Sequence, residues 1–119
     1  MLEKESDVEL TSELKIDRDI IVDEDWIQNY VEEILSVCKR FNIQVLSIKK
    51  CNSKRKGIHF YIKINPPIDP ALANKLQWLL GDDDKRVAFN RARIESGLNE
   101  WNKLFEKSKV NFKIIYEKR

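Results

Sequence analysis

Only three glycines and three prolines occur in 119 residues, which excludes collagen-like, linker-like and low-complexity architectures. Cysteine is scarce too. Cys38 and Cys51 lie on different expected elements without C-x-x-C or Cys/His ligand spacing. A disulfide scaffold is thereby excluded, and His59 adds just one further donor where a structural zinc site wants four. Reduced thiols in a cytoplasmic protein are the expectation. No apolar run approaches the ~20 residues that cross a bilayer, and no signal-peptide pattern opens the chain. No membrane partner is expected. An excess of one charge is also missing: 22 Lys and Arg stand against 20 Asp and Glu, a net +2. No global field selects a partner, so recognition by charge has to come from local patches.

What is present describes a globular chain. With 42% hydrophobic and 35% charged residues, the length suits one core and one domain. The polar stretch 1–12 reads as a flexible N-terminal segment and 13–119 as a single α+β domain. In ELKIDRDIIV, Leu14, Ile16, Ile20 and Val22 alternate as on a strand. DEDWIQNYVEEILSVCKRF carries a helical stripe from Ile27 to Phe41, capped by Asp23 or Asp25. NIQVLSIKK and GIHFYIKI form a hairpin around the basic loop NSKRK. NPPIDP breaks the chain and starts a helix at Pro70. ALANKLQWLL and DDDKRVAFNRARI read as helices, LNEWNKLFEK continues at helical spacing, and VNFKIIYEKR is a last strand.

The order βαββαβ, with an enlarged second helical region, predicts a ferredoxin-like or RRM-like fold. That fold has a four-stranded antiparallel sheet, its helices on one face, and the first and third strands as the central pair.

In the third strand Ile58, Phe60, Ile62 and Ile64 form the expected core set, leaving His59, Tyr61 and Lys63 on an open face. Lys15, Asp17 and Asp19 of the first strand share that side. Two carboxylates about 7 Å apart on one strand face suit Mg or Mn, so Asp17 and Asp19 are candidate metal ligands and, with His59, candidate catalytic residues. The plain alternative is a polar face wetted by solvent. A third reading makes Tyr61, flanked by His59 and Lys63, a stacking platform for single-stranded DNA or RNA. Lys49, Lys50, Lys54, Arg55 and Lys56 would then contact phosphates, unless the loop is simply a solvated hairpin tip. Arg86, Asn90 and Arg93 recur on one helix face, a solvated face or a second phosphate surface. Trp78, Trp101 and Phe105 at helical spacing are expected in the core.

An acid pair, a helix, then SKRKGIHFYI, in which S-x-x-x-G-x-H leads into hydrophobic alternation, resembles the catalytic core of archaeo-eukaryotic primases over residues 14–64. The resemblance implies divalent metal at Asp17 and Asp19 (or Asp23 and Asp25) and incoming-nucleotide phosphates at Ser53 and His59. No counterpart of that family's third acid or zinc module occurs in these residues, so a reduced core is implied. A rolling-circle type of tyrosine nucleophile would have to be Tyr30, Tyr61 or Tyr116, without that class's paired histidines. The leading expectation is a nucleic-acid-binding protein of a replication or mobile-element context. The alternatives are a metal-dependent nucleotidyl-transfer or nuclease enzyme, and a homodimeric scaffold module.

Overall fold

The computed structural model describes residues 9–18, 23–53, 57–97 and 109–118. Its elements run β1 (Thr11–Arg18), α1 (Glu24–Arg40), β2 (Gln44–Ser53), β3 (Ile58–Ile68), α2 (Pro70–Leu79), α3 (Asp84–Glu95) and β4 (Lys109–Glu117). All strand pairs are antiparallel, in the order β1-β3-β2-β4. The α+β class, the four-stranded antiparallel sheet and the β1–β3 adjacency therefore agree with the sequence reading. The expected central placement of β1 does not. β1 lies at one edge, β4 at the other, and β3 with β2 occupies the centre. β1 also starts at Thr11, within the stretch expected to be flexible, and β3 runs through Pro66 and Pro67 to Ile68. There the β1–β3 ladder is broken by a bulge between Thr11 and Glu13, which accommodates prolines that cannot donate to a ladder.

One face of the sheet, here the inner face, carries the core. Leu14 and Ile16 of β1, Val45 and Ile48 of β2, and Phe60, Ile62 and Ile64 of β3 meet Ile27, Tyr30, Val31, Ile34 and Cys38 of α1, with Ala73, Leu76 and Leu80 from the α2 side. The α1 stripe forms at the spacing read from the sequence. Asp23 accepts a hydrogen bond from the Trp26 N–H at 2.8 Å and Asp69 from that of Leu72 at 2.9 Å, caps of about 1 kcal/mol each. Burial pushes the Cys38 thiol up to about 11, leaving it a protonated core group.

Among the described residues the edge of β1 is covered by side chains. The Gln77 side-chain oxygen accepts from the Lys15 N–H at 3.0 Å, and Arg86 Nη2 donates to the Lys15 carbonyl at 2.7 Å. Asp82 Oδ1 accepts from the Asp17 N–H at 2.8 Å. Arg86 in turn reaches Asp82 through Nη2 at 3.0 Å, and the Asp82 side chain is wholly buried. An exposed strand edge is a template for pairing with another chain, and this polar cluster removes it. Arg86 is therefore tied to the β1 edge, not to a solvated phosphate surface. Asn90 is buried too and donates to the Asn74 side-chain oxygen, while Asn74 donates to the Val87 carbonyl. Trp78, expected in the core, is instead 54% exposed. Trp101 and Phe105 lie outside the described residues.

Candidate functional site

On the outer face the register brings side chains of several strands into rows, because directly opposed residues share a face. Asp17 of β1, His59 of β3 and Cys51 of β2 form one row. Lys15, Tyr61, Lys49 and Ile114 form the next, and Glu13, Lys63 and Ser47 a third. His59 Nε2 lies 3.5 Å from Asp17 Oδ1. The sequence expectation that Asp17 and His59 converge is thus met. Asp19, its proposed companion, lies outside the described residues, as do Lys54, Arg55 and Lys56.

The expected openness of this face fails at its centre. His59 is 5% and Tyr61 7% exposed, and Cys51 is buried, while Lys63 is exposed. Residues 58–62 of β3 are buried without a gap, so this strand is covered on both faces. Tyr61 cannot offer a naked ring to a base in this arrangement. Its ring centroid lies 6.3 Å from that of Phe112 and 5.6 Å from Lys49 Nζ. The signal for this was in the text. IHFYI is a continuous bulky run, and a strand buried on both faces reads as a run rather than as alternation.

Phe112 of β4, which the sequence reading did not single out, presents an accessible aromatic ring on this face, 53% exposed. Ile114 beside it is exposed as well, and Lys49 Nζ sits 4.9 Å from the Phe112 ring centroid. The neighbouring positions of the β2–β4 ladder place Lys50 directly opposite Lys113. Lys50 is also paired with Phe60 of the core set, so this lysine pair lies on the inner face and Lys49 is the cation that accompanies the exposed ring. VNFKIIYEKR carries Phe112 and Ile114 at alternate positions, but their placement beside Lys49 depends on the β2–β4 pairing.

Around Asp17 the electrostatics are mixed. Burial raises its carboxyl above the ordinary value of 3.8; positive His59 and Arg86 oppose the shift, and Asp82 and Asp83 reinforce it. A raised carboxyl favours the folded state while protonated, and that contribution is lost as pH rises through the folded-state value. Asp17→Asn should therefore gain stability relative to the parent between about pH 3 and pH 6, a window opened by the ordinary carboxylate value. Urea unfolding of both proteins at the two pH values checks this, and a change in the opposite sense would refute it. Among the described residues no three His, Cys, Asp or Glu side chains form a group that could hold a metal ion. No helix of the described residues is long and apolar enough to cross a membrane.

No protein-family model, curated protein or solved structure matches the chain. Its chemistry has to be read from its own residues.

Proposed function

We propose that this protein binds single-stranded nucleic acid along the β2–β4 side of the outer sheet face. The observation that carries the reading is the half-exposed Phe112 ring with Lys49 4.9 Å from its centroid. A ring of this kind stacks on a base of any sequence, and the lysines beside it contact phosphates. The basic loop Lys54, Arg55 and Lys56 follows β2 directly in the chain and supplies further charge. Tyr61 and His59 act behind this surface as packing groups. The reading needs neither a ferredoxin-like wiring nor a primase-like ancestry.

Binding of a short fluorescent oligonucleotide should weaken steeply with salt. Lys49→Ala with Lys54→Ala should reduce the slope of log K against log salt by about 0.7 per lysine. Phe112→Ala should cost about 1–3 kcal/mol of affinity without changing that slope. Absence of binding at low salt would remove the proposal.

A second reading draws on the 3.5 Å approach of His59 to Asp17. In it, these residues with Asp19 support Mg- or Mn-dependent nucleotidyl transfer or nuclease chemistry. Manganese-dependent product formation that vanishes in both Asp17→Asn and His59→Ala would favour it. Product that persists in those variants would exclude it.

A further inference from the structure

The outer surface of the helical layer holds a second feature, which does not depend on the nucleic-acid reading. Between α2 and α3 lies a cleft of about 390 Å³ whose walls are Ala71, Asn74, Lys75 and Trp78 on one helix and Val87, Arg91, Ile94 and Glu95 on the other. The spacing explains the walls: positions separated by three, four and seven residues share one face of a helix. Seven residues from Ala71 to Trp78 make the cleft about 10 Å long at 1.5 Å per residue.

Its chemistry is divided. Ala71, Val87 and Ile94 give an apolar floor, and the 54%-exposed Trp78 gives an aromatic wall. Asn74 uses its side chain within the protein, donating to the Val87 carbonyl and accepting from Asn90, so it braces the floor. Lys75 lines one wall and Arg91 the other, both from exposed positions, with one carboxylate, Glu95, in the same wall as Arg91. Two cations against one acid leave an excess of one positive charge. An exposed indole beside an apolar floor and paired cations is ill suited to bare solvent, and it fits a flat ring carrying an anionic group.

The volume selects among occupants. A docked two-turn helix, about 10 Å across and 10 Å long, would need roughly 800 Å³. The cleft instead falls in the range of small-molecule sites, about 300–1,000 Å³. We propose that the α2–α3 cleft binds a nucleoside monophosphate. The base stacks on Trp78 over the floor of Val87 and Ile94, and the phosphate lies between Lys75 and Arg91. Glu95 beside Arg91 disfavours the further charge of a di- or triphosphate.

Adenosine monophosphate is the probe, titrated into the full chain while the three tryptophan indole N–H signals are followed by NMR; Trp78→Phe identifies the Trp78 signal. The expected result is a saturable shift of that signal. Affinity should drop at least tenfold in Arg91→Ala and in Lys75→Ala, both exposed positions whose spectra report an intact fold. Adenosine without the phosphate should bind at least tenfold more weakly. No shift at about 5 mM nucleotide, or unchanged affinity in both charge variants, would overturn the proposal. Oligonucleotide binding that survives Arg91→Ala while the mononucleotide shift of the Trp78 signal is lost would separate this site from the outer-face surface.

Discussion

Replacing Asp82 with alanine is expected to cost about 3–5 kcal/mol of folding stability, the range found when one partner of a buried ion pair is removed. The carboxylate is wholly buried and serves several donors at once. Oδ1 accepts from the Asp17 and Asp83 N–H groups at 2.8 and 2.9 Å. Oδ2 accepts from Arg86 Nη2 at 3.0 Å and faces the Gln77 amide at 3.5 Å. Alanine strands two backbone donors and takes the anion away from Arg86, whose side chain is 15% exposed. Each stranded group carries its own desolvation cost. The change also undoes the cover on β1, since Asp82 holds Arg86 where it meets the Lys15 carbonyl. Asp82→Asn keeps the shape and an acceptor oxygen but loses the charge, and should fall between the parent and alanine. Urea unfolding would report the losses as lower midpoints with an unchanged slope. A loss below about 1 kcal/mol, the size of a single ordinary hydrogen bond, would mean that the cluster does not hold this edge.

That cluster marks the boundary of what the residues disclose before folding. The apolar periods of α1 and the alternation in β1 and β3 are local signals, and they place Leu14, Ile16, Ile34, Phe60 and Ile62 in the core where they are found. The caps Asp23, Asp69 and Asp83 are local too, each reaching an N–H two or three residues ahead. Asp82 is different. It stands in GDDDK among acids that read as one capping group, yet its partner on β1 is 65 residues away. No local pattern distinguishes an acid that caps its own helix from its neighbour that caps a strand edge.

The same limit explains the candidate sites. Alternation alone pairs Asp17 with His59 when β1 and β3 are neighbours. It does not disclose the exposed Phe112 beside Lys49, because β4 pairs with β2 and not with β1. Strand order is a property of long-range pairing, and moving β4 from one edge to the other changes every outer-face neighbour it brings. Trp78 failed for a related reason. Its helical spacing is real, but the stripe it belongs to faces the α2–α3 cleft rather than the sheet.

Gly81→Ala is expected to destabilise the fold by about 2–3 kcal/mol, and Gly97→Ala by about 1 kcal/mol, although both glycines have left-handed backbone angles. Their φ values are +90° and +80°, so both substitutions meet a backbone cost of roughly 1–2 kcal/mol or somewhat less. The difference lies in what a methyl group would touch. At Gly97 nothing lies within 4 Å, whereas at Gly81 the new carbon would stand 1.8 Å from Arg18 Nη1. The Arg18 guanidinium, the far end of a flexible side chain, would have to shift. It donates to the Leu80 carbonyl at 3.2 Å and lies over the rings of Trp26 and Tyr30, 5.2 and 5.5 Å from their centroids. Burial raises the Tyr30 hydroxyl above its ordinary range, so that group stays protonated and donates to the same carbonyl. A charged hydrogen bond of about 1.5–3 kcal/mol and a cation–π contact of about 0.5–2 kcal/mol would be weakened together. A double-mutant cycle isolates the cause. With Arg18→Ala already in place, Gly81→Ala should cost no more than Gly97→Ala in urea unfolding. An undiminished cost in that background would place the strain in the backbone rather than in the approach of Arg18.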